Sequence, residues 1–352
     1  MPPYPADRCV GSSTYATSNA AISLFNNALN CRYHGRGIVM TAGGLRYFTS
    51  AYVNIRVIRH FHKCTLPIEV FYAGADEMPQ SAVSFMQMAF ADVTFIDIYS
   101  VKGSPAAGSI HGYALKPYPL LYSSFEEVLF VDSDSFPLED PTNVFDIPQY
   151  VSTGALFWPD ICNYYSTRIE AWDLFELARP EWWPDIQTGG TDYWMYNSNC
   201  DGRAPPEVES GQIVMDKRRA WHGLLMTTFI NLHADYFIGK IMHDDKQTWP
   251  FAFQATHTRY HLVEKPHIGF GRAAQQRDGW WYMCHSTYGQ RHPETGEVLF
   301  MHRSNTKFVH LGAFLSMKPV LHAWTHESKQ GPFEVVLMNF QCSQLCFHCD
   351  AC

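Results

Sequence analysis

The stretch Glu126-Glu127-Val128-Leu129-Phe130-Val131-Asp132-Ser133-Asp134-Ser135 constrains this chain more than any other. A run from Val128 to Val131 without a polar residue reads as a strand covered on both faces, the pattern of a parallel sheet sandwiched between helices. Two carboxylates follow, at Asp132 and Asp134. On an extended backbone, residues two apart point to the same side, about 6–7 Å along the strand, so both acids reach one cation. Hard divalent ions such as Mn²⁺ or Mg²⁺ take oxygen ligands and keep positions open for phosphate oxygens. A turn carrying two solvated aspartates would show the same Asp-x-Asp spacing; the preceding apolar strand favours the cation.

The segments before this strand alternate. Gly37 to Gly44 is a strand running into a glycine pair, and from Leu45 to Lys63 the residues Phe48, Ala51, Tyr52, Ile55, Ile58 and Phe61 recur at helical spacing. Pro67 to Gly74 reads as a second strand, Gln80 to Phe90 as a helix and Val93 to Tyr99 as a third strand, after which Gly112-Tyr113-Ala114-Leu115-Lys116-Pro117 leads into a helix through Ser124. The alternation predicts an α/β domain with a Rossmann-like, mostly parallel twisted sheet flanked by helices, and a ligand crevice at the carboxyl ends of its strands. Gly43 and Asp132 both fall at such ends and can share one site. A strand, a glycine turn and a helix bring backbone N–H groups to a nucleotide, although the spacing is neither a dinucleotide fingerprint nor a P-loop. Lys116 either meets a phosphate or is simply solvated at its helix start.

At 352 residues the chain suffices for one large domain. We read residues 1–36 as an arm, 37–325 as the domain and 326–352 as a cysteine-rich tail, with Cys342, Cys346, Cys349, Cys352 and His348 crowded together. That crowding suits disulfides or free thiols in one compartment and a zinc site in another. Charged residues make up 17% and aromatic ones 15%, a lean and ring-rich composition against the usual one-quarter or so charged. A net charge of −8 without a Lys or Arg run argues against a nucleic-acid partner. No apolar run approaches the roughly 18 residues of a membrane helix, and Met1 to Leu45 lacks a signal-peptide layout. The expectation is a soluble chain: Golgi-luminal if an anchor has been trimmed, otherwise cytoplasmic and even viral.

Further on, Gly154 to Trp158 reads as a strand with Asp160 just past it, and Trp158 is open to a sugar-stacking or a core role. Trp182, Trp183, Trp194, Trp280 and Trp281 lie in loop-like surroundings. Pro205 to Gln212 reads as a loop feeding a helix that runs toward Leu232, with Ser210 as its cap. Glu209 and Gln212 would then offer a carboxylate or an amide to a reacting sugar, or serve helix-start electrostatics. Met242 to Trp249 precedes another helix, where Asp245 either holds sugar hydroxyls, acts as an acceptor's base, or caps. Gly296 to Lys307 is a late strand ending in His302. That imidazole is the first candidate for a third metal ligand, with His310 second, and Lys307 is placed to meet a diphosphate.

Several of these segments together resemble the fungal-type α-mannosyltransferases, glycosyltransferase family 71. They are Gly37-Ile38-Val39 with Gly43-Gly44, Leu66 to Phe71, Tyr113 to Pro117, Val128 to Asp134, Gly154 to Asp160 and Glu209-Ser210-Gly211-Gln212, in the family's order. Asp245 and Lys246 also match the family's Gly-Asp-Lys-Asp-Thr-Phe segment, whereas Ser133 stands where the family often has Ala. The resemblance implies a GT-A fold and metal-dependent transfer, with retention, from a nucleotide-sugar to a glycan hydroxyl. GDP-mannose is the expected donor and a UDP-sugar (galactosyl, glucosyl or xylosyl) the alternative. Ala42, Gly43, Gly44, Tyr47, Lys116, Asp132, Ser133, Asp134 and Lys307 are the expected donor contacts. Asp132, Asp134 and His302 are the expected metal ligands, and Glu209, Gln212 or Asp245 the group near the anomeric carbon. A hydrolase using the same acids, or a carbohydrate-binding scaffold, are the competing classes.

Overall fold

The computed structural model describes residues 33–303, apart from 102–103, 110–111, 161–167, 169, 179–206, 243 and 276–280, together with 322–324. Lys307, His310, Trp182, Trp183, Trp194, Trp280 and the cysteine-rich tail lie outside the described residues.

Seven strands form the main sheet: β1 (Arg36–Thr41), β2 (Ile68–Tyr72), β3 (Val93–Asp97), β4 (Glu127–Asp132), β6 (Ala155–Pro159), β7 (Val208–Asp216) and β8 (His261–Leu262), in the order β3-β2-β1-β4-β7-β6-β8. β3, β2, β1 and β4 run parallel, as the alternation predicts. Their residues divide between two cores, which explains the unbroken apolar runs. Ile38, Met40, Leu129 and Val131 face one core, with Ile55 of helix α1 (Gly44–Arg56), Ile58 of the π-helical turn Val57–Phe61 that continues it, and Val83 and Met86 of α2 (Gln80–Ala89). Val39, Val128 and Phe130 face the other, with Leu120 of α3 (Pro117–Tyr122), Leu224 of α4 (Lys217–Leu232) and Trp249 and Phe253 of α5 (Asp245–Ala255).

β7 departs from expectation. Its residues do not lead a helix: they form a buried strand in the middle of the sheet, antiparallel to both β4 and β6. The helix starts only at Lys217, where the Asp216 carboxylate, not Ser210, accepts the first amides from Arg218 and Arg219. Glu209, Ser210 and Gln212 look like cap residues in sequence, yet each is buried. They are tolerated there because neighbouring elements bring partners to them.

A second sheet, β12-β9-β10-β11-β5, contains β5 (Ser135–Pro137), β9 (Ile268–Gln275), β10 (Trp281–Arg291), β11 (Val298–His302) and β12 (His322–Trp324). Trp281 therefore opens a strand rather than lying in a loop. The sheets meet at Trp158, which is fully buried, packs edge-on against Phe300 and donates its indole N–H to Arg291 O at 2.8 Å. Gln290 Nε2 donates across the same seam to Pro159 O at 2.9 Å. Trp158 is thus a core residue and not a sugar platform. Among the described residues no helix is long and apolar enough to cross a membrane.

Candidate active site

β4 ends at Asp132, and the chain turns through Ser133 and Asp134 into β5. Two elements fix that turn. Asn54, buried on α1 among Ala51, Ile55 and Ile58, donates its amide to Ser135 O at 2.7 Å and Ser133 O at 3.3 Å. From beyond β11, the Arg303 N–H donates to Asp134 O at 2.9 Å. β11 pairs with β5 so that His302 stands opposite Ser135, which delivers the imidazole to the aspartates. One ligand atom each from Asp132, Asp134 and His302 lies within 4.8 Å of the others.

β7, running antiparallel, brings its first residues to the edge where β1 and β4 end. Against β4 its register is regular, Val131 facing Gln212. Against β6 it shifts, Phe157 facing Ile213 while Trp158 faces Glu209, so Ser210 to Gln212 form a bulge. Bulges re-aim side chains, and this one turns Glu209 and Ser210 into the crevice. Glu209 Oε1 accepts the Gly211 N–H at 2.8 Å and lies 3.3 Å from His302 Nδ1; His302 Nε2 is 3.5 Å from Asp134 Oδ1. Gln212 is fully buried, its Oε1 accepting the Ser135 hydroxyl at 3.1 Å.

Lys116 reaches in from the start of α3. Its ammonium donates to Asp132 Oδ2 at 2.8 Å and to Ser210 Oγ at 2.9 Å, with Asp245 Oδ2 at 3.8 Å. The expected phosphate partner is thus committed to carboxylates. On the far wall Lys246 pairs with Asp160 at 2.5 Å, and Gln247 bonds Glu207. Asp244, not Asp245, caps α5, in a capping box with Gln247. That leaves the Asp245 carboxylate to face the crevice.

Burial and charge set the protonation states. Burial opposes the Lys116 and Lys246 ammonium groups, but their carboxylate neighbours prevail and both pKa values rise. Burial likewise opposes the His302 imidazolium, yet Glu209 and Asp134 push it up to about 10. Burial raises the Glu209 carboxyl, but His302, Lys246 and Lys116 outweigh it and hold it well below the usual range. For Asp245 burial wins over Lys116, and with Asp244 and Asp132 nearby its pKa rises to about 7.

These groups line a cavity of about 960 Å³ that extends past Ala42, Gly43, Gly44 and Tyr47 toward Tyr72, Asp76, Glu77 and Tyr113. The Glu77 carboxylate packs where a side chain on Gly43 would stand, and Gly44 takes φ +64° at the start of α1. Gln212 is the one expected site residue, among those described, that does not line the cavity. Asn54, Asp160, Glu207 and Asp244 were not singled out for the roles they take. Only Asn54 carries a sequence signal, a polar residue on the apolar face of a helix.

The family model described as "Mannosyltransferase putative" matches residues 35–302. Alpha-1,2-mannosyltransferase MNN2 of Saccharomyces cerevisiae is 27% identical over 218 residues, covering 57% of this chain and 36% of the relative. Alpha-1,2-mannosyltransferase MNN5 of the same species is 25% identical over 284 residues, 71% of this chain and 47% of the relative. For alpha-1,2-mannosyltransferase MNN21 of Candida albicans the figures are 26% over 269 residues, 68% and 40%. The chain spans less than half the length of these relatives. Among solved structures, the glycosyltransferase GlyE of Streptococcus pneumoniae aligns at 14% identity over 66% of this chain and 46% of its own, with a TM-score of 0.40, a likeness too loose to carry an argument. The family match, in contrast, runs from the entry to β1 through to His302 at the end of β11, and on that span the chain belongs to the mannosyltransferase family.

Proposed function

We propose that the chain transfers mannose from GDP-mannose to a glycan hydroxyl, with retention at the anomeric carbon and with a divalent cation, in the Golgi lumen. The observation that carries this reading is the meeting of Asp132, Asp134 and His302 on the wall of a large cavity at the sheet's carboxyl edge, in a member of a mannosyltransferase family. The donor set fits a cation. Two carboxylates and one imidazole suit Mn²⁺ better than Mg²⁺, and among the described residues that line the cavity the acids, Asp132, Asp134, Asp160, Glu209 and Asp245 with them, outnumber the cationic groups Lys116, Lys246 and His302. A cation held there supplies charge neutralisation for the departing diphosphate.

The chain's own residues do the rest. Ala42, Gly43 and Gly44, at the N-terminus of α1, present backbone to the nucleotide. Lys116 holds the Asp132 carboxylate in place. Asp160 and Lys246 offer an acceptor and a donor to sugar hydroxyls. Asp245, with a pKa near 7, is poised to take the acceptor's proton at neutral pH.

Thermal unfolding with a panel of GDP- and UDP-sugars, each with Mn²⁺ and with chelator, tests the reading. A nucleotide at about a hundred times its dissociation constant stabilises by roughly 2.7 kcal/mol. GDP-mannose should shift the transition only with Mn²⁺. A shift with UDP-sugars alone would move the donor to the alternative, and none with any nucleotide would overturn the transferase reading.

A further inference from the structure

We propose that Glu209 is a positioning residue for His302, so that its carboxylate serves the imidazole and not the reacting sugar; this rests on the cation-dependent reading above. The two residues come from different sheets, Glu209 from β7 and His302 from β11. Glu209 Oε1 is pinned by the Gly211 N–H at 2.8 Å, and that same oxygen lies 3.3 Å from His302 Nδ1. The imidazole's other nitrogen, Nε2, lies 3.5 Å from Asp134 Oδ1; both contacts are longer than a usual N–H···O bond, and the shorter of the two is the one to Glu209. Ligated to a cation, the imidazole would give up its second proton and have one left to place. A carboxylate beside Nδ1 keeps it there and turns the Nε2 lone pair toward the two aspartates, the arrangement by which outer carboxylates fix metal-binding histidines.

Gly211 is the independent observation. A Cβ on it would stand 2.8 Å from His302 Nδ1 and 3.0 Å from Glu209 Oε1. The ring therefore packs on bare backbone at the bulge, and Glu209, Gly211 and His302 form one fitted unit. Asp245, at the start of α5, is left as the carboxylate for the sugars.

Mn²⁺ titration followed by the EPR signal of the free ion tests this, on wild type, Glu209→Ala, Glu209→Gln, His302→Ala and the Glu209→Ala/His302→Ala double variant. Glu209→Ala should weaken Mn²⁺ by about 10–100-fold, and Glu209→Gln, which keeps an acceptor oxygen, should recover part of that. In the His302→Ala background Glu209→Ala should cost nothing more, because its effect passes through the ring. Gly211→Ala keeps every charge but displaces the ring, and should weaken Mn²⁺ as well. Wild-type affinity in Glu209→Ala or in folded Gly211→Ala, or an equal loss with and without His302, overturns the proposal. If wild type binds no Mn²⁺ in a way that depends on Asp134, the cation reading falls and takes this inference with it; the other failures leave that reading standing.

Discussion

On the β1–β3 side of the cavity the wall is mostly backbone and rings, Ala42, Gly43, Gly44, Tyr47 and Tyr72, with the carboxylates of Asp76 and Glu77 beside them. On the β7–β11 side it is interlocked charge, with Lys116 between Asp132 and Asp245, His302 between Asp134 and Glu209, and Lys246 on Asp160. The first wall tolerates exchange because little in it depends on a partner's charge. On the second, each group is buried or half-buried against an opposite charge, so a change at one position reaches several others.

The sharpest way to break this contrast is Lys116→Met. Removing the cation leaves buried Asp245 and half-buried Asp132 without their shared partner, which should cost about 3–5 kcal/mol in denaturant unfolding. A loss no larger than that of an exposed lysine would mean that water, not Lys116, solvates those acids. Next comes Asp134→Ala, which should lower mannose transfer on the order of 10²–10³-fold while the fold holds, as steady-state kinetics with GDP-mannose would show.

A matched pair of glycine substitutions compares the walls directly. Gly211→Ala crowds the His302 ring and should cost about 1–3 kcal/mol. Gly44→Ala meets open space and carries only the left-handed backbone penalty, about 1 kcal/mol. Thermal melts should rank them in that order; the reverse order would put the rigidity on the glycine side.

The most gradual effect is a slope in pH. The Asp245 pKa is raised from 3.8 to about 7, so between those values the unfolded chain ionises this acid first and the native state loses stability as pH rises. Asp245→Asn removes the penalty, so its stability relative to wild type should climb from about pH 4 to about pH 7 and then level off. A difference that falls over that window would show that attraction to Lys116 outweighs burial.

The same division governs what could be read from sequence. The parallel half was legible because β1 to β4 are apolar runs between helices of plain 3.6-residue period, and the Asp132/Asp134 pair stands at a strand end. The roles of the β7 residues were not. Glu209-Ser210-Gly211-Gln212 carries cap-like residues before a genuine helix, and a bulge inside a central strand has no periodicity to betray it. Lys116 reads as a solvated or phosphate-binding lysine until Ser210 and Asp245, distant in sequence, are placed around it. The rest of the second sheet, β9 and β10, escaped because Ile268 to Arg291 mixes glycine, charge and rings without a clean alternation. His302 was singled out from its place at a strand end, but nothing local pairs β11 with β5.

That pairing bears on how far the centre can be disturbed from a distance. Asp132 closes a strand of one sheet and His302 closes a strand of the other, and the contact of Trp158 with Phe300 helps to set the angle between them. The separation of imidazole and carboxylates is therefore a matter of alignment between two sheets, inherited from a buried contact that does not line the cavity. A slight misfit there, such as Trp158→Phe, would detune the centre without altering any of its members, and screens that look only at residues lining the cavity would pass it by.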